Sequence, residues 1–448
     1  MASSRKSPRS NTLIARVTAI LRLHVKRGER LAAGLSGGVD SVVLLDLLLR
    51  ASKKLRFELA ALHVNHQINP AAGRWAAFCR ALCRQRGVAF TSVRVKVPRG
   101  ESLEAAARDA RYRVFAALPA DHVALAHNLD DQAETVLLQL LRGAGVKGLS
   151  AMPTVREQSA ERRAHENRLT PAILRPLLEI PRSEIEAYAR RRKLAWIEDE
   201  SNADVYYDRN FLRHRVLPVL AERYPAYRRT LARASRNLAE AAQLLDDLAA
   251  ADAQLTAGGL AISGLRGLSV PRAKNVIRYF IGLHGVTMPN AARLDESVRQ
   301  LQSQRAMRTT IDLGEHLLRR HANELRIVAR TLSLPGSYRH EWHGENRLRL
   351  PELGGTLVLT KCRGSGISLA RLAGAPVTVR LRQGGERLQL HTQRPRRSLK
   401  NLLQESHIPP WERARLPLLF CGDELVWAAG IGIGCPFQAK PGETSVQP

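Results

Sequence analysis

Gly34-Leu35-Ser36-Gly37-Gly38-Val39-Asp40-Ser41 decides how this chain is read. An apolar run, residues 31–35, leads into it, and apolar residues at helical spacing, 42–49, follow it. Strand, glycine turn and helix in that order make the first β-α unit of a parallel sheet. Two adjacent glycines let the backbone turn tightly and approach a ligand without a Cβ clash. The N–H groups of such a turn and the positive end of the helix behind it cradle an anion. Ser36 and Ser41 add hydroxyls. Asp40 is out of character beside a phosphate unless a cation lies between them, which points to Mg²⁺ held at Asp40. The pattern GxxxxGK[ST] is absent, so this is no Walker A loop. A plain strand-to-helix turn capped by Asp and Ser is the simpler alternative.

Working outward, residues 57–64, 90–97 and 122–126 read as strands. Residues 74–86, 103–118 and 130–141 read as helices between and after them. This alternation predicts an α/β fold with a parallel, doubly wound sheet. Residues 143–148 are a glycine-rich break and 156–167 a polar loop. Residues 174–178 and a Pro-started helix to Lys193 continue the domain, which ends near 215–218. A long Ala- and Leu-rich helix, 231–248, suits a bridge. The expected division is 12–217, a nucleotide-binding catalytic domain; 218–334, a mostly helical domain; and 335–440, a small α+β domain of short alternating strands. No internal repeat is seen.

At roughly 100–200 residues per domain, 448 residues agree with about three domains. Hydrophobic residues at 44% and charged residues at 25% exclude disordered and fibrous classes. Seventy Lys and Arg against 41 Asp and Glu leave +29, spread along the chain. So basic a surface fits a polyanionic partner; an Arg-heavy proteome is the other source of such a charge. No apolar run reaches 18 residues, and the N-terminus has no secretory h-region, so no membrane span and a cytoplasmic location are expected. Five cysteines make no disulfide framework. Cys79 and Cys83, four apart, share a helix face and read as core; Cys362, Cys421 and Cys435 lack a CxxC partner.

The SGGVDS loop resembles that of the PP-loop pyrophosphatase superfamily, which cleaves ATP between the α and β phosphates and transfers AMP. Later segments narrow the resemblance to the tRNA(Ile)-lysidine synthetases. They are His63-Val64-Asn65-His66 at a strand end, Glu104 to Tyr112 with Arg108 and Arg111 one turn apart, and Leu129-Asp130-Asp131-Gln132-Ala133-Glu134-Thr135. Arg142 to Leu149, Arg175-Pro176-Leu177-Leu178, Ile197 to Asn202, and Tyr207 to Arg213 continue the likeness. So does the tail from Arg397 to Leu418. Asn128 departs from the pattern, where His is expected before Leu-Asp-Asp. Thiolases need a reactive cysteine or a CxxC-held cluster, and the CxxC is missing. A GMP synthetase would leave +29 without purpose.

The resemblance implies an ATP-dependent ligase. It joins free L-lysine to the 2-position of the wobble cytidine in the CAU-anticodon tRNA(Ile), through an adenylylated cytidine, releasing pyrophosphate and AMP. Decoding then changes from AUG to AUA, and charging identity from Met to Ile. The implied ATP site is Ser36, Gly37, Gly38, Val39, Asp40, Ser41, His63 and Arg108. Asp40, Arg111, Asp131 and Glu134 are the expected catalytic residues. Asp131, Glu134 and Arg209 are expected to take lysine, whose two ammonium groups need acids. Arg394, Arg396, Arg397, Lys400, Arg413 and Arg415 are expected on tRNA phosphates. The family also suggests a homodimer. A non-catalytic RNA-binding protein on a vestigial nucleotide fold is the alternative from another class; the intact Ser36, Asp40, Asp131 and Glu134 argue against it.

Overall fold

The computed structural model describes residues 12–97, 103–157, 170–198, 204–302, 310–330 and 338–448, and no side chains at 103 and 104. The chain divides into two compact units, Met1–Leu313 with Asn323–Ile327, and Gly314–Ala322 with Val328–Pro448.

The first unit begins with α1 (Leu13–His24), β1 (Arg30–Gly34), α2 (Val39–Leu55), β2 (Glu58–Asn65), α3 (Ala72–Arg86) and β3 (Ala89–Arg94). It continues through α4 (Leu103–Ala116), β4 (His122–Ala124), α5 (Leu129–Leu141), α6 (Val146–Leu149), β5 (Val155–Arg156), β6 (Ala172–Leu174) and α7 (Arg182–Arg191). The strand order is β3-β2-β1-β4-β6-β5. The first five run parallel, and β5 is an antiparallel edge on β6. β1 is central, with Ala32 between Ala60 of β2 and Val123 of β4. The expected doubly wound sheet is present. Its strand order reverses between β1 and β4, and ligands of such sheets bind at that switch point, beyond the strands' C-terminal ends.

α2 shows why this core forms. Val42, Val43, Leu44, Leu45, Leu47 and Leu48 are all fully buried, so the helix is apolar nearly all round and lies within the core. In chain order, α8 (Asp208–Phe211), a π-helical turn (Leu212–Val216), α9 (Leu217–Arg223) and the long α10 (Tyr227–Asp252) follow. α10 lies against α5, where Ala133, Leu217 and Tyr227 form a small core and Gln132 Nε2 donates to Ser235 Oγ at 3.3 Å. Helices Val270–Leu283 and Ala291–Gln302 extend the unit. The expected helical segment also holds some sheet: Gly259–Ala261 pairs antiparallel with Leu255–Thr256 and with Glu324 and Leu325.

The second unit is α+β, as expected for the tail. Its main sheet is antiparallel, in the order Arg339–Trp342, Val377–Arg380, Leu418–Cys421, Glu424–Ala428, Gly432–Ile433. Its core gathers Leu359, Ile367, Val379, Leu419 and Val426, all fully buried.

Candidate functional site

The loop between β1 and α2 is held by its own serine. Ser41 Oγ accepts from the Ser36 and Gly37 N–H groups at 3.2 and 3.1 Å and donates to the Gly38 carbonyl at 2.9 Å. Ser41 is mostly buried and ties the loop from within, and it still lines the cavity above the loop. Ser36 is exposed. Gly37 has φ +98°, and a Cβ there would sit 3.1 Å from Ile197 Cδ1. Only glycine takes that conformation without strain in so tight a place. A Cβ on Gly34 would come within 2.8 Å of Leu125 Cδ2. Gly38 caps α2 without a side chain, so the first N–H groups of the helix remain for a ligand.

A cavity of about 520 Å³ opens above this loop, at the switch point. Ser36, Gly38, Asp40, His66, Arg111 and Asp131 are among the residues lining it. His63 is buried, its Nδ1 2.8 Å from the Leu35 carbonyl, and burial lowers its pKa. Sequence reading did not assign His66 and His127 to the site. They follow β2 and β4, the two strands that flank β1, and that position was the available signal. Burial, then Arg111 and His63, push the His66 pKa down to about 4. Burial, then Arg175, Arg209, Arg108 and Arg111, push that of His127 down to about 3. Both rings are therefore neutral near pH 7, and the buried Nδ1 of each lacks a hydrogen-bond partner among the described residues.

Asn128 accounts for its own departure from pattern. Its Oδ1 accepts from the N–H groups of Asp130 and Asp131 at 2.9 and 3.1 Å, and Asp131 Oδ2 accepts from its N–H at 3.0 Å. This capping box starts α5. The Asn128 Nδ2 also donates to Asp40 Oδ1 at 3.2 Å. Asp40 and Asp131 are thus joined through one amide. Burial raises the Asp40 pKa to about 6; Arg182 opposes the rise, and Asp131 adds to it. A carboxylate that feels the charge of a second carboxylate suits a cation. Among the described residues no group of three or more His, Cys, Asp or Glu could hold a metal. Mg²⁺ at Asp40 would therefore complete its shell with phosphate oxygens and water, as that ion usually does.

Glu134 lies behind this surface, fully buried and outside the cavity lining. Arg213 grips it through Nε at 2.7 Å and Nη2 at 3.0 Å, and Arg209 Nε lies 3.1 Å away. Burial nevertheless raises the Glu134 pKa, against the pull of Arg213. Arg213 Nη2 also reaches Asp131 at 3.4 Å, and Arg209 donates to Thr135 Oγ1 at 3.0 Å. Arg213 stands in the π-helical turn, a distortion frequent at functional sites. Asp199, Glu200, Ser201 and Asn202 lie outside the described residues; Ile197 before them donates its N–H to the Gly37 carbonyl at 2.9 Å and lines the cavity. Arg111 faces the cavity, whereas Arg108 is exposed, its guanidinium 5.2 Å from the Tyr112 ring centre.

In the second unit, Arg394, Arg396 and Lys400 are exposed. Arg397 pairs with Glu405, and Arg396 lies 3.7 Å from Glu424. Arg413 Nε donates to the Ile408 carbonyl at 2.6 Å, and Arg415 to that of Glu352 at 3.1 Å. Arg413 and Arg415 thus spend donors on the fold. Cys79 and Cys83 are core, as expected, and burial lifts their thiols to about 12 and about 11.

Residues 10–220 match the family model described as a PP-loop domain. Residues 260–326 match that of a TilS substrate binding domain, and 377–447 that of a TilS substrate C-terminal domain. The chain is 49% identical over 434 residues to a tRNA(Ile)-lysidine synthase of Nitrosomonas europaea, covering 95% of this chain and 93% of the relative. It is 43% identical over 423 residues to one from an Azoarcus species, covering 94% and 91%. Against one from Coxiella burnetii the figure is 39% over 413 residues, covering 90% and 89%.

Proposed function

The chain belongs to the tRNA(Ile)-lysidine synthases, ATP-using ligases of the PP-loop superfamily, and from that premise we propose how its own residues divide the reaction. The observation that carries the reading is the pair Asp40 and Asp131, bridged by Asn128 at the edge of a cavity built on the SGGVDS loop.

ATP lies in the 520 Å³ cavity, with its base and ribose toward the neutral His66 and His127. Its phosphates meet the N–H groups of Gly38, Val39 and Asp40 and the hydroxyl of Ser36. Asp40 holds Mg²⁺. When bound, that ion supplies positive charge against the phosphate oxygens. The cytidine O2 attacks the α-phosphorus, the bond to the β-phosphate oxygen breaks, and pyrophosphate leaves. Arg111, which faces the cavity, neutralises charge growing on the α-phosphate.

The ε-amine of free L-lysine then attacks C2 of the adenylylated cytidine, and the C2–O bond to AMP breaks. An ammonium group is no nucleophile, so its proton must leave first, and Asp131 at the cavity is positioned to take it. Glu134 contributes as a positioning residue: it fixes Arg209 and Arg213 at the lysine side, and Arg209 pairs with the lysine carboxylate. Residues 12–217 act as the catalytic domain, 218–334 as a helical tRNA-contacting bridge and 335–440 as a tRNA-binding domain. Arg394, Arg396 and Lys400 meet RNA phosphates there, with Arg397, Arg413 and Arg415 supporting that surface. The enzyme works in the cytoplasm, as a homodimer. Among the described residues no helix is long and apolar enough to cross a membrane.

Pyrophosphate release measured with each of tRNA(Ile), ATP and lysine omitted in turn tests this division. Release should need tRNA and ATP but not lysine, whereas AMP release should need all three. Pyrophosphate formed without tRNA would contradict attack by the cytidine.

A further inference from the structure

Among the described residues, the charged groups that act most strongly on Tyr112 of α4 are all arginines. Arg108 and Arg156 lie 5.2 and 5.5 Å from its ring centre. Arg175 Nη2 donates to its hydroxyl at 3.2 Å. Arg175 is 1% exposed, and its Nη1 donates to the Pro153 carbonyl at 2.7 Å. Three guanidiniums around one phenol repel one another, and the leading charged influences on Tyr112 and on the nearby His127 are all arginines. Arg175 is locked behind the hydroxyl, while Arg108 and Arg156 are exposed. Because the Tyr112 oxygen accepts from Arg175, its own proton is left to donate outward. The cluster therefore presents two guanidiniums and a hydroxyl proton, the donor set of a phosphate site.

Its position separates it from the ATP phosphates. Neither Tyr112, Arg108 nor Arg156 lines the ATP cavity; Phe115 does, and its ring stands 5.6 Å from that of Tyr112. Tyr112 thus stands one ring away from the cavity lining.

We propose that Tyr112, Arg108 and Arg156, backed by Arg175, hold a backbone phosphate of the tRNA next to the nucleotide that enters the cavity. The proposal rests on the reading of tRNA as substrate. It moves Arg108 from the ATP phosphates to the RNA, and makes Arg175 a positioning residue that acts through Tyr112.

Arg156→Ala is the test, because the side chain is exposed on an edge strand and its loss leaves the core intact. The Kd of a tRNA(Ile) transcript is measured against salt concentration, and the KM for ATP at saturating tRNA. One lost single-strand phosphate contact should lower the slope of log K against log salt by about 0.7. At roughly 0.1 M salt that is about fivefold weaker binding. Arg156→Lys should recover most of the slope, and the ATP KM should not move. If the wild-type protein binds tRNA and Arg156→Ala leaves Kd and slope unchanged, the proposal fails. A raised ATP KM with unchanged tRNA binding also overturns it and returns the cluster to ATP. A wild-type protein that binds no tRNA overturns the functional reading itself, and this inference with it.

Discussion

Replacing Asp40 by Asn should abolish the reaction and at the same time stabilise the free protein. Burial raises the Asp40 carboxyl from an ordinary 3.8 to about 6, with Asp131 adding to the rise against Arg182. Between those values the folded chain keeps a proton that the unfolded chain has released. Stability therefore falls as pH rises from about 4 to about 6, and stays lower above that window. At 1.36 kcal/mol per pH unit, the displacement is worth about 3 kcal/mol at most. Solvent at the cavity mouth reduces this to about 1–2 kcal/mol. Asn keeps the shape and can still meet the Asn128 amide, which lies 3.2 Å from Oδ1. At pH 7.5 without Mg²⁺ the variant should melt higher by about 2–6 °C, and the gap should close near pH 4. Added Mg²⁺ with ATP should stabilise wild type more than the variant, since binding to the native state alone raises stability. Differential scanning fluorimetry across pH, with and without Mg²⁺ and ATP, reads all of this. A variant that melts lower than wild type at pH 7.5, or that gains equally from Mg²⁺ and ATP, would refute the reasoning.

Glu134→Gln should cost about 3 kcal/mol of stability, because Arg209 and Arg213 lose their buried counter-charge, and should raise the lysine KM with tRNA adenylylation less affected. Urea denaturation and steady-state kinetics check it, and an unchanged midpoint would remove Glu134 from its positioning role. Arg394→Ala with Lys400→Ala should flatten the salt dependence of tRNA binding by about two contacts. Turnover at saturating tRNA should stay near normal, and identical slopes would move the RNA surface elsewhere. Cys79 and Cys83 should resist iodoacetamide at pH 8 while the chain is folded, since both are fully buried with thiols pushed up to about 12 and about 11. Rapid labelling of either, read by peptide mass spectrometry under native conditions, would contradict the packing of α3.

Much of the fold was legible because its signals are local. The apolar run before Gly34 and the spacing after Ser41 locate β1 and α2. The helix nevertheless starts at Val39, three residues before that spacing, because Gly38 serves as its cap. α10 spans Tyr227–Asp252, beyond the expected 231–248, because its Arg- and Ala-rich flanks favour helix without adding to the apolar pattern. Of the site, the glycine loop, Asp40 and Asp131 carry motif signals and line the cavity, whereas Glu134, read with them for lysine, is buried outside it. What could not be read depends on residues far apart in sequence. Glu134 meets Arg209 and Arg213 after some 75 residues, and nothing on α5 says that those guanidiniums will close over it. The seat of Ile197 on Gly37 and the link from Arg175 to Tyr112 are likewise tertiary.

Adenylylation of a cytidine in tRNA and replacement of the adenylate by lysine is the activity assigned to this chain. The direct measurement is mass spectrometry of the wobble nucleoside after a CAU-anticodon tRNA(Ile) transcript is incubated with the protein, ATP, Mg²⁺ and isotopically labelled lysine. The wobble cytidine alone should gain the mass of one lysine less water and carry the label, and Asp40→Asn should yield unmodified cytidine. Tight tRNA binding with the cytidine unchanged, or a modification that forms without lysine, would contradict it.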